Sequence, residues 1–430
     1  MVRTCFVVRF AVPASSPARW FPMKIKCRPD DFIVEEIPCL PEDTRGEFRI
    51  YRLEKTGWTT PDALAFIRRA WDIKPQRMGY GGLKDRHART IQYFTIHGGP
   101  ERKIQQPGIE AFPVASAREP FHSRHIVANR FTVVARAIDL ATLPILENAL
   151  KNISQFGIPN YFDDQRFGSV SGPGQPFIGK MLCAASFEDA LREALAGRYT
   201  HDTAEAKREK QILRDGWGDW KGLKESLPRG HARSLVCYLM DHPTDFRGAV
   251  ARLRPELGGL YLAAYQSWIW NRVLDSKIRQ DCRQSIAELP CRLRSWAAPG
   301  PGVAVPEFGG LCIPLPSARL KLPAENPWLG AFNSILAEDG LTLATMKVPR
   351  QRDLFFSRGE RNAWLMPTEL NWRHHKDDYH HGALALAMSF LLPRGSYATM
   401  LIKRLQAAAG SIDRLPDEDD WEEVPRQTGD

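Results

Sequence analysis

Between Met23 and Arg49 the chain alternates between apolar and polar positions, and in Asp31-Phe32-Ile33-Val34-Glu35-Glu36 the residues Phe32, Val34 and Glu36 share one face, which predicts a strand. Thr60 as N-cap and Pro61 as first helical residue predict a helix. Its buried stripe is Leu64, Ile67 and Ala70 or Trp71, and Lys74-Pro75 stops it. Tyr80-Gly81-Gly82 opens a loop into a strand over Thr90 to Ile96, and clean alternation from Ile126 to Arg136 predicts another. From Asp163 to about Leu343 the texture is helical, as in the stripe Leu262, Tyr265, Ile269 and Val273. Strand alternation returns at Leu384, Leu386, Met388 and Phe390. The pattern describes a strand-rich unit interrupted by a helical insertion.

Composition narrows the function. The 430 residues suffice for about three domains of ordinary size, or two with a large insertion, with real cores. With 43% hydrophobic and 25% charged residues the chain is not disordered wholesale, and no apolar run approaches the length of a membrane span. Lys plus Arg outnumber Asp plus Glu by 59 to 50, and a formal charge of +9 favours a polyanionic partner over a neutral metabolite. The eight cysteines are scattered, with no C-x-x-C pair and no His at finger spacing. That usage argues against zinc fingers and disulfide scaffolds and fits a reducing cytoplasm. Residues 1–22 carry no acidic side chain and read as an unstructured leader or an over-called start, since Met23 stands just before the first strand. The acidic, Pro-containing stretch 411–430 reads as a loosely attached tail.

Several segments carry candidate chemistry, each with a plainer alternative. In Gly82-Leu83-Lys84-Asp85-Arg86-His87-Ala88-Arg89-Thr90 one carboxylate lies among cations, which keep Asp85 ionised and available as nucleophile or base; the plain reading is a surface turn with a solvated ion pair. Asn129 and Phe131 project to one strand face, where an amide and a ring can hold and stack a base, or where Phe131 is simply core. Asn160-Tyr161-Phe162-Asp163-Asp164-Gln165-Arg166-Phe167-Gly168 reads either as RNA contact or as a domain junction. Its Asp163-Asp164 pair lacks a third acidic metal ligand at helpful spacing. Gly174 to Lys180 nearly matches a P-loop, but Met181 replaces the required Ser or Thr and Pro176 removes an amide, so triphosphate binding is rejected. His374-His375-Lys376-Asp377-Asp378-Tyr379-His380-His381 is the loudest metal candidate and reads better as a polar loop leading into the next strand. Lys207-Arg208-Glu209-Lys210, Arg214, Trp217, Trp220, Lys221, Lys224 and Arg229 to Arg233 interleave cations with aromatics, suited to phosphates and exposed bases or to a solvated helix face.

In their order along the chain, these segments resemble the TruD family of tRNA pseudouridine synthases, from Lys26 to about Lys403. The resemblance rests on Lys26-Cys27-Arg28-Pro29-Asp30-Asp31-Phe32 with Val34 and Glu36, Lys55-Thr56-Gly57, Gly82 to Ala88 with Thr90 and Gln92, and Asn129-Arg130-Phe131. It continues through Gly157 to Phe162, Gln165 to Gly168, Ala264-Tyr265-Gln266-Ser267 with Asn271, and Leu392 to Thr399.

The resemblance implies an α+β fold. A pseudouridine synthase catalytic domain with a mixed, largely antiparallel sheet (23–157 and 346–410) would be interrupted by an α/β TRUD insertion domain (158–345). It implies an isomerase converting uridine to pseudouridine in the D arm of tRNA, at position 13. Asp85 falls on the catalytic aspartate, Lys26 on its basic partner, Phe131 on the ring stacking the target base and Asn129 on the amide near the aspartate. Phe32 and Lys84 support the site, and Arg86, Asn160, Gln165, Arg166, Lys207, Arg208 and Lys221 are candidate RNA contacts. The reaction exchanges no atoms, so no cofactor and no metal are expected. A cytoplasmic monomer acting on tRNA, with no membrane and no obligatory protein partner, completes the expectation. The alternatives are a non-catalytic tRNA-folding chaperone on the same scaffold and a metal-dependent hydrolase built on His374 to His381.

Overall fold

The computed structural model describes residues 23–40, 45–199, 202–300, 303 and 308–410; the leader and tail expected from sequence lie outside the described residues. Chain order begins with strands β1 (Lys24–Ile25), β2 (Phe32–Pro38), β3 (Phe48–Lys55), β4 (Met78–Tyr80), β5 (Arg89–His97), β6 (Ile104–Gln106), β7 (Ile109–Ala117) and β8 (Ile126–Ile138). Helix α1 (Thr60–Ala70) lies between β3 and β4. The middle of the chain holds α2 (Leu143–Phe156), α3 (Ile178–Cys183), α4 (Phe187–Ala196), α5 (Ala204–Asp215), α6 (Trp220–Ser226), α7 (His231–Asp241), α8 (Phe246–Val250), α9 (Pro255–Asp281) and α10 (Leu329–Glu338). Three small antiparallel ribbons stiffen it: β9 (Ile158–Pro159) with β14 (Trp364–Leu365), β10 (Ile286–Leu289) with β11 (Trp296–Pro299), and β12 (Cys312–Pro314) with β13 (Glu360–Asn362). The chain then returns to the main sheet through β15 (Thr368–Lys376) and β16 (Leu384–Pro393), and α11 (Ala398–Ala408) follows.

Among the described residues the main sheet has ten strands in the order β15-β16-β8-β2-β5-β3-β7-β6, with β1 against β8 and β4 against β5. Its ladders are antiparallel except β2–β5, which is parallel, so the sheet is mixed and largely antiparallel. Phe32, Val34 and Glu36 are all buried on one face of β2, as their alternation predicts. The four residues of the predicted helical stripe, Leu262, Tyr265, Ile269 and Val273, are all buried along α9. Helix α1 lays Ala63, Leu64, Ile67 and the following Trp71 on Tyr51, Leu53, Phe94, Ile96, Ile109 and Ala111 of β3, β5 and β7. No helix of the described residues is long and apolar enough to cross a membrane.

Two local expectations are corrected. The N-cap of α1 is Thr59, whose side chain accepts the Asp62 N–H, while Thr60 is already helical and buried. His374 and His375 lie on strand β15 rather than in a loop. The half-buried Leu370 and Trp372 carry the alternation there, and an edge strand tolerates polar residues toward water.

Candidate active site

The single parallel pairing sets up the site. Ile33, Val34 and Glu35 of β2 face Arg89, Thr90 and Ile91 of β5 in parallel register, so the segments preceding both strands emerge at the same end of the sheet. Lys26 precedes β2 and Asp85 precedes β5. Although they are 59 residues apart in sequence, Lys26 Nζ lies 2.6 Å from Asp85 Oδ2. Lys26 has a φ of +57°, the left-handed region that side chains other than glycine seldom occupy and that clusters at functional sites. Its ammonium also sits 4.6 Å above the Phe32 ring. The His87 N–H donates to Asp85 Oδ1 at 2.8 Å.

The side chains of Lys26 and Asp85 are 10% and 13% exposed, enclosed yet still reachable. Burial by itself would raise the Asp85 carboxyl. The charge and hydrogen bond of Lys26, with the His87 amide, more than offset burial and hold the carboxyl below its ordinary value. The site therefore presents an ionised oxygen in a partly desolvated setting.

Two buried side chains hold the Asp85 loop in place. Lys55 donates from Nζ to the carbonyls of Trp58 and Asp85 at 2.8 Å each and of Lys84 at 3.4 Å. Burial pushes its ammonium down to about 8, against the opposing pull of Asp85. Thr60 Oγ1 donates to Gln92 Oε1 at 2.8 Å and accepts the Lys84 N–H at 3.0 Å. The threonine expected as a helix cap is therefore an anchor for the loop. Thr59 and Thr60 are chemically identical, and only their partners tell the two roles apart.

Strand β8 supplies the other wall. Phe131 is opposite Val34, and Asn129 is opposite Glu36, in antiparallel register with β2. The Phe131 ring meets Phe32 edge-on at 6.2 Å and stacks on Phe390 at 5.6 Å. Glu36, fully buried, accepts the Tyr93 N–H at 3.0 Å, and its Oε1 lies 2.9 Å from Lys84 Nζ. Burial pushes the Glu36 carboxyl up while Lys84 opposes the shift. Lys84 Nζ also donates to Asn129 Oδ1 at 3.0 Å. Lys26, Phe32, Lys84, Asp85, Asn129 and Phe131 thus converge, and Glu36, Lys55 and Thr60 join them as supports that sequence reasoning did not assign.

The candidate RNA contacts are placed unevenly. Arg86 is exposed beside Asp85, its Nε donating to the Gly57 carbonyl at 3.3 Å. Lys207 and Arg208 on α5 and Lys221 on α6 are exposed, with no carboxylate partner among the described residues. Gln165 is exposed, and Arg166 is half-buried with its guanidinium 5.4 Å from the Phe162 ring. Asn160 departs from expectation. It is buried, its Nδ2 donates to the Asn362 carbonyl at 2.9 Å, and its Oδ1 accepts from Arg361 at 2.7 Å, so its amide locks the junction at β13 instead of facing outward.

The metal candidates resolve by their partners. Asp163, Asp164 and Cys291 bring ligand atoms within 4.8 Å of one another, but Lys403 Nζ occupies their midst. It is bound to Asp163 Oδ1, 2.5 Å from Asp164 Oδ2 and 3.3 Å from Cys291 Sγ, while Thr399 donates to Asp163 Oδ2. The histidines 374 to 380 are engaged separately: His374 with Glu147, His375 with the Lys376 carbonyl, and His380 with Asp377. Lys180 of the P-loop-like stretch is paired with Asp339 at 2.9 Å.

This scaffold is shared with a known class. The crystal structure of a putative tRNA pseudouridine synthase D (TruD) from Methanosarcina mazei superposes with a TM-score of 0.66 at 24% identity, covering 89% of this chain and 93% of that one, so the fold is that of the class. The family model for tRNA pseudouridine synthase D (TruD) matches residues 19–288 and 311–405, and the chain belongs to that family of isomerases. Its relatives include a probable tRNA pseudouridine synthase D 2 of Methanocaldococcus jannaschii, 27% identical over 89% of this chain and 91% of the relative. The tRNA pseudouridine synthase D of Aquifex aeolicus is 28% identical over 89% of this chain and 98% of its own.

Proposed function

We propose that this enzyme converts a uridine in the D arm of tRNA, at position 13, to pseudouridine, with Asp85 acting directly on the ribose. The observation that carries the reading is the enclosed Lys26–Asp85 pair at 2.6 Å, with Lys26 over the Phe32 ring that meets Phe131, and with Lys84, next to Asp85, bonded to Asn129. The N1–C1′ bond breaks with its electron pair leaving on N1. The uracil turns, C5 bonds to C1′ and loses its proton, and N1 takes one up. Asp85 either attacks C1′ or takes the C2′ proton, and both routes need the same ionised oxygen. Lys26 keeps that oxygen ionised before the step and favours its return to the ionised form afterwards, and Phe131, backed by Phe32 and Phe390, supplies the apolar surface on which the detached ring rests.

A uridine stacked in folded tRNA must be extruded before a carboxylate reaches its sugar. Arg86, Gln165, Arg166, Lys207, Arg208 and Lys221 are the side chains we assign to the phosphates around it, most of them on the 158–345 insertion domain. Contacts of this kind position the substrate without reading its sequence. The reaction runs in the cytoplasm on a single chain. The test is Asp85→Asn with unmodified tRNA transcripts and site-resolved pseudouridine mapping. Wild type modifies position 13 and the variant produces none; undiminished product from the variant overturns the assignment of Asp85.

A further inference from the structure

A leucine exposed singly is ordinary on a protein surface. Leu83 is 68% exposed two residues before Asp85, and it does not stand alone. A Cβ placed on Gly81 would lie 2.5 Å from the Ile126 side chain, so the loop carrying Tyr80 and Leu83 presses against the start of β8. Val127, the next residue of that strand, is 60% exposed, and Tyr80 is 42% exposed. Three large apolar side chains thus face water at the rim of the candidate site.

Leu83 is also held outward. Gln92 Nε2 donates to the Gly82 carbonyl at 3.4 Å, and Thr60 Oγ1 accepts the Lys84 N–H at 3.0 Å, so both chain neighbours of Leu83 are tied to one pair. Thr60 and Gln92 are themselves joined at 2.8 Å and fully buried. Lys55 fixes the carbonyls of Lys84 and Asp85 just beyond. Leu83 belongs to neither apolar core among the described residues, and this backbone anchoring keeps it from folding back onto one.

We propose that Leu83 is a wedge that enters the tRNA base stack at the place the extruded uridine vacates, with Val127 and Tyr80 against the flanking base. This rests on the reading that a stacked uridine is extruded to reach Asp85. Extrusion leaves a gap one base thick, which water cannot stabilise by stacking, and the uridine falls back unless something fills it. Apolar side chains fill such gaps between base steps. The strand on either side needs cations on its phosphates. Arg86, three residues after Leu83, is exposed. Arg394 is exposed as well and follows Pro393, the partner of Ala128 beside Val127.

The experiment reads extrusion separately from chemistry. A tRNA transcript with 2-aminopurine beside the target uridine is saturated with Asp85→Asn or with Asp85→Asn/Leu83→Ala, and binding is confirmed by gel shift. The reporter, dim while stacked, brightens in the first complex and stays near its free-RNA level in the second. With Asp85 intact, Leu83→Ala lowers the single-turnover rate at saturating enzyme by about tenfold, the order of one lost stacking contact. Its urea midpoint stays in place because the side chain is exposed, and Leu83→Met, apolar and of similar volume, keeps the wild-type rate. Equal brightening in the two complexes, no brightening in either, or an unchanged rate in Leu83→Ala overturns the proposal. A wild type that makes no pseudouridine in the unlabelled transcript overturns the underlying reading instead.

Discussion

Replacing Lys403 by Met removes the ammonium that sits among the carboxylates of a nearly sealed cluster. The side chains of Lys403 and Asp163 are 2% and 6% exposed, and Asp164 is 15% exposed. Burial alone would raise the Asp163 carboxyl, but Lys403 holds it below its ordinary value. Without the ammonium, two carboxylates face each other beside the half-buried Cys291 thiol, and removing one partner of such a pair costs about 3–5 kcal/mol. That is a large part of the roughly 5–15 kcal/mol by which domains are stable. The triple variant Lys403→Met/Asp163→Asn/Asp164→Asn removes the charges together and should regain most of the loss. The assay is urea unfolding followed by tryptophan fluorescence, read as a shift of midpoint at constant slope. The sign with pH is also fixed. In Lys403→Met the unpaired carboxylates bind protons more readily folded than unfolded, so acidification narrows the gap to wild type. Added manganese or zinc should raise the midpoint of Lys403→Met, whose Asp163, Asp164 and Cys291 then offer an empty ligand set, and leave wild type unmoved. A loss under about 1 kcal/mol, or a triple variant no better than the single, refutes the reasoning.

Three further outcomes follow from the same geometry. In Lys26→Met, burial of Asp85 is no longer offset, so its proton is released only at higher pH; the acid limb of kcat/KM moves upward, and an unmoved limb argues against Lys26 as the controlling charge. Lys55 titrates at about 8 when folded against 10.5 ordinarily, so across that window the unfolded chain binds more protons and stability rises with pH; Lys55→Met should flatten this rise in unfolding titrations. Changing Lys207, Arg208 and Lys221 together to Ala should raise KM for tRNA and lower the salt slope of binding by up to about 3, whereas an unchanged slope removes α5 and α6 from the interface.

Part of the candidate site is legible in local pattern, Asp85 among cations and Asn129 and Phe131 two apart on a strand, whereas Lys26 and Phe32 enter it through the family resemblance. What sequence cannot show is partnership at a distance. Asp163 and Asp164 lack a third acidic ligand at helpful spacing in sequence, and nothing there shows that Lys403, 240 residues beyond Asp163, lies between them. Glu36 reads as one more buried-face residue until the sheet register sets it opposite Asn129. Asn160, between Pro159 and Tyr161, reads in sequence either as an RNA contact or as a domain junction, and it is Arg361, another distant residue, that holds it inward. The misplaced cap at Thr60 and the histidines assigned to a loop are smaller errors of the same origin, since tertiary contacts chose between locally equivalent options.

The left-handed backbone at Lys26 separates endurance from catalysis. A side chain held at that φ costs about 1–2 kcal/mol relative to what glycine accepts without penalty. The double variant Lys26→Gly/Asp85→Asn sheds this torsional burden and the buried ion pair together. It should melt no earlier than the native protein while isomerising nothing. Laboratory selection for heat resistance alone would thus drift toward inert chains at this position, and any screen meant to harden the enzyme has to score product formation alongside survival.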